Sequence, residues 1–377
     1  MTCRWHIVVV EQPVGVKQYE IKDRHMNTTR SQEPVQQPKP DQTVSGQGLA
    51  ESKGSSAIIL HHYPASPFAE KIRLFLGYKQ ASWLSVDIPM MLPKPKLTAL
   101  TGGYRKTPVM QIGADIYCDT SLILDELHER LSDRLLLDEG CLHDIALAAF
   151  ADSHLFSAAV AWVFQPEAIG QFFEGKGEAF MQAFIADRKA FRAGAASPRP
   201  SPGQAKDALD EALSALETQL GDARTFLWGS SPSKADFSLY HPLWFIRQAK
   251  SLAALFEDYP QIKGWLARMT AFGHGRPQAI SADEALAIAA ASRPQALAAM
   301  HERSLSSAQV SEGLALGAVV EVMPTDYGMD PVRGRLFFAD HRRIIVEREP
   351  EGQSLLHVHF PQRGYRIRRC EDAVGSS

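Results

Sequence analysis

The sequence predicts three unlike regions in one chain: a small α/β unit near residues 57–134, an all-helical region over 138–304 and a set of short strands over 311–370. Three observations predict this. The run AIILHHY reads as a short apolar strand, and the following EKIRLFLGYK repeats like a helix. From Cys141 to about Ser304 the chain is rich in Ala, Leu and Phe, divided by GAASPRPSPG at 194–203, GSSPS at 229–233 and GHGRP at 273–277. Beyond 311 the segments AVVEV, RLFFAD, RRIIVERE and LLHVHF are short alternating runs between Pro, Gly and Asp turns.

In the first region, Phe68, Ile72, Phe75 and Leu76 share one helical face. Ser66 is placed to cap that helix, and Pro67 suits its first position, where a missing N–H costs nothing. TPVMQIG and ADIYCD then read as two strands about a Gly turn, and TSLILDELHERL closes the unit as an amphipathic helix. In the second region, Ser233 and Asp236 form the spacing of a capping box, which is a folding signal. The last region has the strand count of a small SH3-like barrel, a separate module whose removal should leave the first region's site intact.

Before this order begins, residues 11–56 hold almost no clustered hydrophobics, and 1–56 is read as a disordered tail, with Met26 as a second potential start. The apolar run in MTCRWHIVVVEQP is too short for a signal peptide, and no stretch is expected to reach the apolar length of a membrane span. The net charge of −3 gives no general attraction for nucleic acid or anionic membrane. Four cysteines without paired spacing argue against a disulfide framework and a structural zinc site, and fit a reducing cytoplasm.

Chemistry concentrates at three points of the α/β unit. At Ser66, unpaired N–H groups and the positive end of the helix dipole favour an anion such as a thiolate, and the hydroxyl can donate to it. Simple capping is the plainer role for the same serine. A cis Thr107–Pro108 link would turn the preceding backbone outward to pair with an extended peptide, whereas a trans link would only start a strand. Asp119 and Thr120 open a helix, where they either cap it or hold the ammonium and carboxylate of a γ-glutamyl group.

In order and spacing, LHHYPASPFAEKIRLFL, YRKTPVMQIG and YCDTSLIL resemble the N-terminal domain of the glutathione S-transferase superfamily. FLWGSSPSKADFSLYHPLWFI and YPQIKGWLARM are similar to motifs of its helical domain, so the likeness covers about 57–275. The resemblance implies a thioredoxin-like glutathione-binding domain followed by the all-α C-terminal domain, with the small β-barrel (SH3-like) as an extension. It is closest to divergent serine-type, tau- or omega-like members. Omega-type members carry Cys where Ser66 stands, and serine there argues against glutaredoxin-like disulfide exchange.

By the same resemblance, Ser66 activates the thiol, the Thr107 backbone and Pro108 grip the cysteinyl unit, and Asp119 with Thr120 hold the γ-glutamyl end. Two departures weaken activity relative to binding: Asp-Thr replaces the usual Glu-Ser, and His62 and Tyr63 compete with Ser66 as the sulfur-activating donor. Tyr63 is the alternative activator; His61 and His62, being adjacent on a strand, cannot both face the site. Trp162 and Phe164 are candidates for an apolar co-substrate pocket among the aromatics of the helical region. His357 and His359 share a strand face with metal-chelating spacing, but no third ligand is apparent, so a solvated face is expected. The arginines at 363, 366, 368 and 369 sit in a segment (311–377) with nine Arg and ten acidic residues, read as a salt-laced surface.

The expected function is therefore conjugation of glutathione thiolate to an apolar electrophile in cytoplasmic detoxification, by a homodimer that needs no metal or cofactor. The alternatives are a non-catalytic glutathione-binding or interaction protein, and a glutathione-dependent dehalogenase, isomerase or lyase.

Overall fold

The computed structural model describes residues 56–131, 141–295, 314–350 and 354–370. The tail expected over 1–56 lies outside them, apart from its last residue.

The α/β region runs β1 (Ile59–His62), α1 (Pro67–Tyr78), β2 (Ser82–Asp87), α2 (Pro95–Thr101), β3 (Val109–Ile112), β4 (Asp115–Cys118) and α3 (Thr120–Arg130). β1 lies between β2, parallel, and β3, antiparallel; β4 follows β3 antiparallel. Residues alternate between two cores, as a strand's period of two requires. Leu60, Met110, Ile112 and Tyr117 join the helical core, whereas Ile59, Val109, Ile116 and Cys118 join a second core. The sheet thus separates a helical side from a side built by α2 and the end of the chain.

The helical region holds α4 (Leu142–Phe150), a π-helical turn (Ala151–Leu155), α5 (Phe156–Val163), α6 (Pro166–Phe172), α7 (Glu178–Phe191), α8 (Pro202–Leu220), α9 (Lys234–Gln248), a 3-10 stretch (Lys250–Phe256) and α10 (Pro260–Thr270). α1 packs on α9, which joins this region to the sheet. The capping box opens α9 as predicted: the Ser233 N–H donates to Asp236 Oδ2 at 2.8 Å. The other oxygen of Asp236 accepts from the Leu227 N–H and the Trp265 indole, which fixes the helix in the core.

Three expectations need correction. First, Leu142–Val163 forms one helix of 22 residues with mean hydropathy 1.4, which by length and composition could cross a membrane. Its Asp144 and Asp152 are held by Trp228, Ala235, Lys71 and His241, so it behaves as a bundle helix packed on α8 and α9. Second, the helical region does not run to 304. The break GHGRP leads into β5 (Arg276–Ala279), which pairs parallel to β2, and α11 (Ala282–Ala291) then packs on α2. Glycine makes this return possible: a Cβ on Gly275 (φ +69°) would lie 2.5 Å from the Ala81 carbonyl, and one on Gly77 would lie 1.9 Å from that of Gly273.

Third, the C-terminal strands are not a detached module. β6 (Val319–Pro324), β7 (Val332–Ala339), β8 (Arg343–Arg348), β9 (Leu356–Pro361) and β10 (Tyr365–Arg369) have the order β10-β6-β7-β8-β9. Closing the expected barrel would need a β9–β10 ladder. Among the described residues there is none, and the far edge of β9 pairs with β4 in parallel. The result is one ten-stranded sheet, β10-β6-β7-β8-β9-β4-β3-β1-β2-β5. Both edges of the original four strands are covered by later chain, which removes open hydrogen-bonding edges there.

Candidate glutathione site

A cavity of about 720 Å³ opens where the α/β unit meets the helical region. Its lining includes Ser66, Tyr63, Thr107, Pro108, Asp119 and Thr120, so all six residues singled out for glutathione chemistry share one space.

Ser66 is buried at the N-terminus of α1, and its Oγ accepts from the Ala69 N–H at 3.2 Å. Capping uses an oxygen lone pair and leaves the hydroxyl proton for another acceptor. The Thr107–Pro108 link is cis, as the motif requires, and so is Leu92–Pro93. Asp119 caps α3 from a backbone with φ +78°, a region that costs a non-glycine residue roughly 1–3 kcal/mol and persists where its surroundings enforce it. Its Oδ1 accepts from the Ser121 N–H at 2.9 Å and the Ser121 hydroxyl at 2.8 Å, and Oδ2 accepts from the Tyr365 hydroxyl at 3.1 Å. A carboxylate has roughly four lone-pair directions, so one remains for an ammonium in the cavity.

Tyr365 lies on β10, so the C-terminal strands help build this corner. Its hydroxyl is 2.8 Å from that of Tyr104, giving a chain Tyr104–Tyr365–Asp119. Burial, reinforced by the Asp119 charge, pushes both phenols well above their ordinary range, so both stay protonated donors. The residues after Tyr104 make parallel links. Arg105 pairs with Asp187 of α7 at 3.1 Å, and Lys106 pairs with Asp326, beyond β6, at 2.6 Å. The YRK of YRKTPV is thus a junction from the cis-proline segment to both later regions. Asp326 and Tyr327 line the cavity wall.

Beneath the groove Lys71 is fully buried, 2.7 Å from Asp152 Oδ2 and 3.4 Å from Thr120 Oγ1. Asp152 also accepts from His241 at 3.0 Å. Burial alone would raise the Asp152 carboxyl, but the Lys71 charge and the His241 contact outweigh it and hold the carboxyl at about 2. This pair joins α1, the entrance of α3 and the π turn, and fixes Thr120 at the cavity floor. Lys94, just before α2, is also buried; its ammonium is 3.2 Å from Thr107 Oγ1 and 5.6 Å from the Tyr63 ring centre. Burial, then the Arg188 charge, lowers it to about 8 despite Asp187.

Several expectations are settled by these positions. Neither His61 nor His62 lines the cavity. His61 bonds Gln111 at 2.8 Å, and His62 bonds Ser85 at 2.9 Å and Arg73 at 3.0 Å. Burial lowers them to about 4 and about 3, so they are neutral structural groups and His62 is no rival to Ser66. Phe164, which follows α5 directly, lines the cavity with Phe156 and Val160 of α5 at four-residue spacing. Trp162 does not, because two residues from Val160 a helix points nearly the opposite way; it packs against the helical core. His357 and His359 are buried rather than solvated. The residues missed in the sequence are Lys94, Tyr104, Arg105, Lys106, Tyr365 and the α7 group Asp187, Arg188 and Arg192; the YRK motif was the one available signal.

Residues 60–134 match the family described as glutathione S-transferase, N-terminal domain, and residues 181–268 match glutathione S-transferase, C-terminal domain. A GST-like protein from Pseudomonas syringae is similar over 84% of this chain and 100% of its own, with 39% identity and a TM-score of 0.69. The chain belongs to the glutathione S-transferase superfamily. FzlA from C. crescentus (20% identity, 57% of this chain and 88% of its own, TM-score 0.42) and a tau-class glutathione S-transferase from mango (15%, 57% and 89%, 0.42) are also similar. No curated protein matches the chain. Membership supports a glutathione-binding, transferase-type function. In this superfamily member the two domain matches leave the C-terminal strands outside, yet Tyr365 and Asp326 from that region reach the site.

Proposed function

We propose that the protein activates glutathione as a thiolate and transfers it to an electrophilic, predominantly apolar small molecule, as a cytoplasmic detoxification enzyme whose reaction needs no metal or redox cofactor. The observation that carries this reading is the convergence of Ser66, the cis-proline segment and the Asp119–Thr120 corner on one cavity.

The tripeptide lies extended along the groove. Thr107 pairs with the cysteinyl backbone, Thr120 and the first amides of α3 take the γ-glutamyl carboxylate, and the spare lone pair of Asp119 takes its ammonium. The glycyl carboxylate falls toward Lys94, which contacts Thr107 and has no carboxylate in hydrogen-bond reach among the described residues. The sulfur then meets Ser66, whose hydroxyl donates while the helix terminus favours the negative charge. Holding both ends of the peptide positions the sulfur, and that orientation supplies much of the rate. Phe156, Val160 and Phe164 offer the electrophile an apolar wall. The homodimer implied by the resemblance belongs to this reading, and sedimentation of the full chain tests it.

Turnover of a generic aryl halide by wild type, Ser66→Ala and Tyr63→Phe tests the assignment. Loss of a donor aimed at developing negative charge costs about 10²-fold in kcat, so Ser66→Ala should fall by that order and Tyr63→Phe should stay within a few-fold. The reverse pattern would move the role to Tyr63. Glutathione binding without turnover in the wild type would favour the non-catalytic alternative.

A further inference from the structure

The β4–β9 ladder places three metal-ligating side chains together on one face, away from the glutathione cavity. Asp115 is the direct register partner of His357, and Tyr117 that of His359. Asp115, His357 and His359 are all buried, at 1%, 4% and 1% exposure. One donor atom from each lies within 4.8 Å of the others. Asp115 Oδ1 is 2.9 Å from His359 Nε2 and 3.8 Å from His357 Nδ1. These spacings bracket the roughly 3.3 Å between tetrahedral ligands bound at about 2.0–2.1 Å.

The surroundings suit a cation. Among the described residues no Lys or Arg pairs with Asp115, and the charged-type side chains beside this buried carboxylate are the imidazoles of His357 and His359. Arg343, whose charge reaches His359, is engaged by Glu126 at 2.9 Å. Supporting contacts of the kind that orient metal ligands are present. Glu347, the register partner of His357 on β8, sits 3.8 Å from its opposite ring nitrogen. The Gln295 N–H donates to Asp115 Oδ2 at 2.8 Å, leaving Oδ1 for the centre of the cluster. The Tyr117 ring stacks on His359 at 4.4 Å and fixes its plane.

We propose that Asp115, His357 and His359 bind a divalent transition-metal ion, zinc by the nature of the donors, which ties the C-terminal strands to the original sheet. The ion balances the carboxylate, and a water molecule completes a four-coordinate shell. Because β4 leads directly into Asp119, the tie also steadies the corner that faces glutathione.

The test uses the untagged, chelator-treated full chain titrated with Co²⁺ and then Zn²⁺. One equivalent of Co²⁺ should give tetrahedral visible absorption that Zn²⁺ displaces, and Zn²⁺ should raise the melting temperature. Asp115→Asn and His359→Gln should each weaken Zn²⁺ binding at least tenfold. Should a variant fail to fold, X-ray absorption of the zinc-loaded wild type decides: two imidazoles and oxygen support the site, and sulfur in the shell overturns it. No cobalt band and no zinc-dependent shift in the wild type, or undiminished binding by folded variants, would mean that the cluster is a hydrogen-bond network alone.

Discussion

The two walls of the glutathione cavity are built in different ways. The inner wall comes from backbone features at the ends of short elements: the start of α1, the cis Thr107–Pro108 link and the entrance of α3. Each is set by a few adjacent residues. The outer wall comes from side chains brought over long separations, with Arg105 meeting Asp187 and Lys106 meeting Asp326. Tyr365 crosses between the two, since it stands in the outer region and donates to the inner Asp119. The difference teaches that the proposed glutathione contacts are local in sequence, whereas the shape of the space around them depends on the whole chain.

The largest expected effect tests what supports the inner wall. Lys71→Met removes the cationic partner of Asp152 and leaves that carboxylate with the His241 contact alone, a change toward the low end of the about 3–5 kcal/mol that breaking a buried pair costs. Denaturant unfolding should show a loss of that order; a loss under about 1 kcal/mol would mean that the pair does not hold the groove together. The same pair has a pH signature. Asp152 titrates lower in the folded chain than its ordinary 3.8, so its contribution is complete above that value and is lost as pH falls toward about 2. Acid unfolding of wild type should therefore steepen in this window relative to Asp152→Asn.

A smaller effect asks whether the C-terminal strands belong to the site. Tyr365→Phe deletes the hydrogen bond to the charged Asp119, worth about 1.5–3 kcal/mol, together with the contact to the Tyr104 hydroxyl. Glutathione affinity should drop at least tenfold by calorimetry with little change in fold. Unchanged affinity would mean that the C-terminal strands, though joined to the sheet, contribute nothing to binding through Tyr365.

The smallest effect concerns the far end of the peptide. Lys94 is lowered to about 8, so it loses its proton as pH rises past that value. An anion bound beside it favours the charged form, and binding should weaken above pH 8. S-methylglutathione, which has no thiol to ionise, should show this weakening in wild type and not in Lys94→Met. A pH-independent wild type would place the glycyl carboxylate elsewhere.

What was legible in the sequence follows from the same contrast. Ser66–Pro67, Thr107–Pro108 and Asp119–Thr120 are local capping and turn signals, and they were readable because their geometry depends on neighbours one to three residues away. The return of residues 276–291 to the sheet was not readable. Its strand is four exposed residues, RPQA, with no alternation, and only the close glycine packing at 77 and 275 makes it possible. The pairing of β9 with β4 was equally hidden, since the buried partner of LHVHFP is named by register and not by pattern. That is why His357 and His359 looked solvated when read alone: the third ligand, Asp115, stands over two hundred residues earlier in the chain. Trp162 failed for a simpler reason, as aromatic content does not say which face of a helix meets the cavity.

The most direct measurement is the ultraviolet thiolate absorbance of bound glutathione as a function of pH, in wild type and in Ser66→Ala. With the sulfur at the start of α1, the bound thiol should ionise well below its value in water, and removing the hydroxyl should return it upward by about one to two pH units. A bound thiol that titrates as it does free in solution, or one indifferent to the loss of Ser66, would contradict the central assignment.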